Sequence, residues 1–431
     1  MTLNSDQILS YLNRPVAVFG HGISGRAIGR LLEHFSVDAE YYDSSGAEGT
    51  SNHFNNFHVT RHELVIFSPG FPQDHPWIKL AISNGLICLG EMDFASIFWK
   101  GRILAITGTN GKTSLTKFLT EAMRLNGQDA FAVGNIGMPL SQLIPDLNNP
   151  DAVAVCEVSS FQCEQMYHFT PDTLLWTNMS SDHLDRHNTL DNYFNAKYRL
   201  VERLSDARLV VGSSVAEVGR EIGCEIPEYA EIVDTDNLNI SSIPKDSVFS
   251  EFPQQENYLM AQKFWELSGF PEKTLRKAAK KFRLPKHRLQ QIAEWDGVSF
   301  WNDSKATNFG ATLAALKRFG HKVHWIGGGT FKGGDIKPFV ECITPYLDGA
   351  YLIGETAKPL QEHLYSSGTF VEVYAGLQNA LLAAYMRASK PSVILFSPAF
   401  SSFDQFQNYE DRGNKFVNAV TELRHQSGIL H

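Results

Sequence analysis

The chain has 431 residues, 43% hydrophobic and 20% charged, a mix that excludes a disordered or fibrous protein and leaves room for about two to four domains. With 38 basic against 47 acidic side chains the formal net charge is −9, which argues against a broad electrostatic grip on nucleic acid or an anionic membrane. No window reaches the roughly 18 consecutive apolar residues of a spanning helix, no basic N-terminal stretch leads into an apolar one, and the five cysteines lack CxxC or Cys/His spacing. A cytoplasmic protein with free thiols is expected, with no membrane or nucleic-acid partner.

Strand-like apolar runs alternate with amphipathic helical patterns, the mark of parallel α/β units. Strands are expected at 16–19, 39–42 and 64–67, with a helix over 26–34. A fresh start at 103–107, followed by a glycine-rich loop and a helix over 113–125, sets a domain boundary near residue 98. Strands at 152–158, 174–177 and 209–211 follow, then a polar, irregular stretch over 223–257 and helices over 258–268 and 271–283. Leu284-Pro285 marks a second boundary, because a residue before proline is biased away from helix. Strands at 298–301, 323–326, 350–353, 370–373 and 393–396, with helices between, make a third domain. The fold class is therefore α/β, in three domains: 1–98, 99–284 and 285–431.

Gly108-Thr109-Asn110-Gly111-Lys112-Thr113 lies between an apolar strand and a helix whose next residue is Ser114. Backbone N–H groups of such a loop and of the helix N-terminus cradle phosphate oxygens. Lys112 adds a point charge for the β- and γ-phosphates, and the Thr113 hydroxyl is placed for Mg²⁺, although Ile106 stands where the longer motif has its first glycine. Gly20-His21-Gly22-Ile23-Ser24-Gly25, with Asp43 ending the next strand, reads either as a dinucleotide fingerprint or as a turn for another phosphate-bearing ligand.

Glu157 closes an apolar strand at the end where α/β proteins bind ligands; it suits Mg²⁺ and equally a helix cap or solvated acid. Lys197 shares a helix face with Phe194 and Val201, so it is either a stem with its head in water or a lysine whose charge is used. Three polar loops, 302–308, 327–334 and 397–406, the first two bearing Lys305 and Lys332, follow strands of the third domain and converge on a crevice for an anionic small molecule.

These residues resemble the Mur ligase family over essentially the whole chain. The resemblance rests on Gly134-Asn135-Ile136-Gly137-Met138-Pro139, the run from Glu157 to Gln162, Asp182-His183-Leu184-Asp185-Arg186, the run from Asn302 to Asn308, and Ser397 to Phe406 running on to Arg412-Gly413-Asn414. The last two blocks match the glutamate-adding member, and the Asp-Asn-Pro-Arg motif of the sibling that adds a diamino acid is absent.

The resemblance implies a Rossmann-like N-terminal domain for a UDP-linked substrate, a central P-loop ATPase-like domain, and a Rossmann-like C-terminal domain for glutamate. It implies ATP-dependent amide formation between UDP-N-acetylmuramoyl-L-alanine and D-glutamate, through an acyl phosphate, by a monomer. Lys112 would hold the γ-phosphate; Thr113, Glu157, His183 and Lys197 would serve two Mg²⁺ positions, Lys197 as a carbamate. Gly108 to Ser114, with Arg288 and Asp303, would bind ATP. Ile23, Ser24, Ser44, Ser45 and Asn135 would line the UDP-sugar site, and Thr307, Lys332, Ser402 and Tyr409 would hold glutamate.

The chain departs from the family pattern at Ser45, at 212–214, at Gln254, at the inserted Lys286 and at Gln290. An L-glutamate ligase is a rival within the fold. An NAD-dependent oxidoreductase built on Gly20 to Gly25 would leave Lys112 and Lys197 without roles, and an idle nucleotide-binding regulator would have no need of Glu157, His183 and Lys197 together.

Overall fold

The computed structural model describes residues 5–72, 74–234 and 240–426. Among them the chain builds three separate sheets. The first contains β1 (Val16–Phe19), β2 (Ala39–Tyr42), β3 (Leu64–Phe67) and β4 (Ile87–Gly90), all parallel, in the order β2-β1-β3-β4. β1 and β3 are unbroken apolar runs and are fully buried, as inner parallel strands must be. An aromatic cluster of Phe19, Tyr42, Phe54 and Phe67 fills one face.

The second sheet contains β5 (Arg102–Thr107), β6 (Ala130–Gly134), β7 (Val153–Glu157), β8 (Thr173–Trp176), β9 (Leu209–Gly212) and β10 (Glu231–Val233). Its order is β10-β9-β8-β5-β7-β6, again all parallel. β5 has β7 on one side and β8 on the other, so the loop leaving β5 opens where the strand order reverses, the usual place for a ligand.

The third sheet contains β11 (Gln290–Trp295), β12 (Val298–Asn302), β13 (Val323–Gly327), β14 (Leu347–Leu352), β15 (Phe370–Val373) and β16 (Ser392–Phe396), ordered β11-β12-β16-β13-β14-β15. Only β11 is antiparallel, joined to β12 by a hairpin at Asp296-Gly297, both with positive φ. Trp325, Leu352 and Leu395 pack on one face of this sheet, and Phe300, Tyr351 and Phe396 on the other.

The chain divides into two compact units. The first, residues 1–179, 194–242 and 257–281, holds the first two sheets; the second, residues 180–193, 243–256 and 282–431, holds the third. Within the first unit, the helix Glu91–Phe98 that follows β4 joins the two sheets. Asp93 accepts from the backbone N–H of Tyr167, His168 and Phe169 at 2.9, 2.7 and 2.8 Å and pairs with the His168 ring at 3.0 Å. Buried Glu91 accepts from Ser141 N–H at 2.8 Å.

The twelve strands expected from sequence are present with bounds shifted by a few residues, and β4, β6, β10 and β11 were not expected. All four lie at sheet edges. An edge strand is covered less than an inner one and needs fewer apolar residues, so its sequence signal is weak.

Candidate functional site

The loop after β5 is held open by its neighbours. Thr109 N–H donates to Asn178 O (3.0 Å), Asn110 N–H to Asn178 Oδ1 (2.8 Å), and the Thr177 hydroxyl to Asn110 O (2.6 Å). Gly108 (φ 141°) and Gly111 (φ 86°) adopt backbone that L side chains resist; a Cβ would strike the Thr177 hydroxyl at the first and the Asn257 amide at the second. With glycine at its cap, the helix Lys112–Leu125 has no cap side chain to take its first N–H donors, an arrangement suited to an anion. Lys112 Nζ folds back onto the loop, donating to Gly108 O and Thr109 O, each at 2.8 Å.

Lys197 is 1% exposed. Its head is not in water, as a solvated stem would require: Nζ donates to Gly108 O at 3.0 Å and to Thr107 Oγ1 at 3.3 Å. The Thr107 hydroxyl donates in turn to Val158 O at 2.9 Å, linking the base of the loop to the end of β7.

There Glu157 is buried, with Oε1 accepting from Asn135 Nδ2 at 2.9 Å and Oε2 receiving no hydrogen bond from the protein. It is neither a helix cap nor a solvated acid, because Ser159 and Gln162 form the capping box of the following turn. A buried carboxylate oxygen without a donor fits a cation, and the Glu157 carboxylate with the Thr113 hydroxyl offers the hard oxygen ligands of Mg²⁺. No cluster of three or more His, Cys, Asp or Glu side chains is found among the described residues. Mg²⁺ characteristically takes one or two carboxylates and completes its shell with phosphate and water.

In the first sheet, the Gly20–Gly25 turn packs so closely that a Cβ on Gly25 would overlap the Gly20 carbonyl. Asp43 accepts from His21 N–H (2.8 Å), Ser45 N–H (2.9 Å) and the Ser45 hydroxyl (2.7 Å), which hold its carboxyl below the usual range. The acid that a dinucleotide reading reserves for a ribose is thus engaged in its own turn. Ile23, Ser44 and Ser45, which follow β1 and β2, are exposed and Ser24 is half-buried; Asn135, which follows β6 of the second sheet, is exposed as well.

The second unit has its own cleft, lined by Asp182, His183, Thr307, Asn308, Thr330 and Lys332 among others. Asp182 accepts from His183 N–H and from Asn308 Nδ2, both at 2.9 Å. His183 has a left-handed backbone (φ 54°).

Residues 106–231 match the model of the Mur ligase middle domain, and residues 287–400 that of the Mur ligase glutamate ligase domain. Proteins named UDP-N-acetylmuramoylalanine–D-glutamate ligase match end to end. The one from Leuconostoc mesenteroides is 30% identical over 96% of this chain and 99% of its own, and the one from Acidobacterium capsulatum 34% identical over 95% and 97%. The chain belongs to the Mur ligase family.

Solved structures agree on the fold. A UDP-N-acetylmuramate–alanine ligase of Thermotoga maritima superposes with a TM-score of 0.62 at 16% identity, covering 96% of this chain and all of its own. A MurF ligase of the same organism, in complex with ADP, gives 0.59 at 17% identity over 84% and 96%.

In this Mur ligase the first unit brings together Lys112, Thr113, Glu157, Lys197 and Asn135 at the carboxyl ends of β5, β6 and β7. Ser114, the third residue of that helix, is buried. The second unit brings together His183, Thr307 and Lys332. Ser402 and Tyr409 lie outside that cleft: Ser402 is buried in the loop after β16, and the Tyr409 ring carries Lys305 Nζ 3.8 Å from its centre.

Asp303 Oδ1 accepts from Leu289 N–H (3.0 Å) and Oδ2 from the Ser397 hydroxyl (2.9 Å). Burial pushes its carboxyl up to about 7 against those donors and the charges of Arg288 and Arg412. Arg288 is half-buried in the segment that leads into β11.

Sequence reasoning missed Asn178, Asp93 and the role of Arg412. The buried guanidinium of Arg412 donates to the Ser304 hydroxyl (3.0 Å), Ser304 O (2.8 Å) and Phe400 O (3.0 Å), tying the loop after β12 to that after β16. A polar residue just past a strand was the available signal for Asn178; nothing local distinguishes Arg412 from a solvated helix residue.

Proposed function

We propose that this chain is the ATP-dependent ligase that joins D-glutamate to UDP-N-acetylmuramoyl-L-alanine in peptidoglycan precursor synthesis. The observation that carries the reading is the end-to-end match to relatives named for that reaction. The arrangement of Lys112, Thr113, Glu157 and Lys197 around one phosphate loop supports it.

In this account the γ-phosphoryl group of ATP passes to the substrate carboxylate and ADP leaves. The glutamate amine then attacks the acyl phosphate carbon, inorganic phosphate departs, and the amine proton goes to solvent. Such chemistry is mostly positioning and charge neutralisation. Lys112 exchanges two loop carbonyls for the γ-phosphate, and the loop N–H groups hold the remaining phosphate oxygens. Mg²⁺, held by Thr113 and Glu157 with His183 at a second position, would neutralise phosphate charge. Lys197 carries a carbamate in the working enzyme, formed when its amine adds CO₂ and loses a proton, which puts an anion beside the loop.

Arg288 and Asp303 serve the nucleotide. Ile23, Ser24, Ser44, Ser45 and Asn135 serve the UDP-sugar; Thr307 and Lys332 serve glutamate from the cleft they line, and Ser402 and Tyr409 serve it from outside that lining. The working divisions are 1–98 for the UDP substrate, 99–284 for ATP and 285–431 for glutamate, in a cytoplasmic monomer. Among the described residues no helix is long and apolar enough to cross a membrane.

Mass spectrometry of the nucleotide-sugar tests the reading. A gain of one glutamyl residue, with ADP formed in equal amount, is expected. ADP formed without that gain would overturn it.

A further inference from the structure

The glycine-rich loop after β13 is fastened residue by residue. Gly328 N–H donates to Pro398 O at 2.9 Å, and Gly329 N–H to the Thr356 hydroxyl at 3.1 Å, which returns its own proton to Gly329 O at 3.0 Å. Thr330 N–H donates to Ser401 O at 2.9 Å, and the Ser401 hydroxyl donates to Thr330 O at 3.2 Å. Farther along, Lys332 O accepts from Asp185 N–H at 3.0 Å. A loop so tied does not adjust to a ligand; it presents one geometry.

One polar atom is left over. Thr330 Oγ1 is buried and makes no hydrogen bond to the protein. An unpaired buried hydroxyl is unfavourable, and native proteins keep few of them unless a ligand or ordered water completes the bond. Thr330 lines the same cleft as Lys332, Thr307 and Asp182, all within the second unit.

The charges of that cleft are laid out for a zwitterion with an acidic end. Lys332 supplies a cation. Asp182 supplies an anion whose two oxygens are held at 2.9 Å by His183 N–H and Asn308 Nδ2 and so keep a fixed direction. An α-amino acid bearing a second carboxylate meets both, its ammonium toward Asp182 and a carboxylate toward Lys332.

We infer that the Thr330 hydroxyl donates a hydrogen bond to a carboxylate of the incoming acidic amino acid, making Thr330 a specificity-determining residue of this ligase. Its β-branched side chain is restricted at χ1 on a pinned backbone, so the hydroxyl has few directions to take. The inference rests on the ligase reading and adds to it a residue that none of the expected glutamate contacts included.

Thr330→Val keeps shape and volume and removes only the hydroxyl; Thr330→Ser keeps the hydroxyl. The expected result is that Thr330→Val raises KM for D-glutamate by about 10- to 100-fold, the range for a lost hydrogen bond to a charged group. KM for ATP and for the UDP-sugar should stay unchanged, Tm should not fall, and Thr330→Ser should restore KM to near wild type. An unchanged glutamate KM in an active Thr330→Val enzyme would overturn the inference. So would a rise in all three KM values with a lowered Tm, which marks a structural role. Absence of wild-type turnover would fall on the ligase reading instead. Calorimetric titration of D-glutamate into the two proteins then decides the matter for Thr330 without turnover: weaker binding to Thr330→Val supports it, and equal binding overturns it.

Discussion

Lys197 Nζ reaches across 89 residues of sequence to the carbonyl oxygen of Gly108, 3.0 Å away. A buried lysine head at the base of a phosphate loop links the helix Leu190–Glu202 to the first residue of the motif, so chemistry done on that amine is felt at the nucleotide. Lys197→Ala should lower phosphate release by about 100-fold or more, the scale of losing a charged group from a pre-organised phosphoryl-transfer site. Added formate or acetate should restore part of it if the working form is a carbamate. Steady-state phosphate release with and without the added acid reads both effects, and full activity in the variant would remove the role.

Gly108 carries a left-handed demand and a steric one together, since a Cβ there would run into the Thr177 hydroxyl. Gly108→Ala should destabilise the chain by about 1–3 kcal/mol and weaken nucleotide binding by more than its effect on folding. Urea unfolding and ATP titration on the same preparation separate the two.

How far these features were legible follows from where each signal sits. The loop 108–113 could be read because strand, glycines, lysine and helix are consecutive, and the burial of Lys197 was foreshadowed by Phe194 and Val201 on its helix face. β11 went unread although Asp296-Gly297 is a strong hairpin signal, because its own residues, Gln290–Trp295, alternate poorly and are largely exposed. Asp93 and the fastening role of Arg412 were invisible for a different reason. Each satisfies backbone groups brought near by tertiary structure, about 75 residues away for Asp93 and 108 to Ser304 for Arg412, and no local pattern encodes such partners.

Asp93 fastens the first two sheets together, with three backbone donors and one imidazole on one carboxylate. Asp93→Ala should cost about 3 kcal/mol or more, because it leaves buried N–H groups unpaired. The urea midpoint should fall accordingly; a shift below about 0.5 kcal/mol, the size of an ordinary surface change, would contradict this assignment.

Asp303 gives the chain a pH dependence of defined sign. Its carboxyl lies at about 7 when folded against an ordinary 3.8, so the folded chain binds more protons between those values. Stability from this group is whole below pH ~4, falls as pH rises toward 7 and is flat above, an effect of about 4 kcal/mol. Asp303→Asn removes the titration. Thermal unfolding at pH 5 and pH 7.5 should therefore show a smaller loss on going to the higher pH in the variant than in the wild type. Equal losses would show that Asp303 ionises without penalty.

Addition of D-glutamate is read out by phosphate release from ATP and Mg²⁺ in the presence of UDP-N-acetylmuramoyl-L-alanine, with D-glutamate and L-glutamate offered in separate reactions. Release with D-glutamate and none with L-glutamate is the predicted result. Release with L-glutamate alone, or with neither, would contradict it.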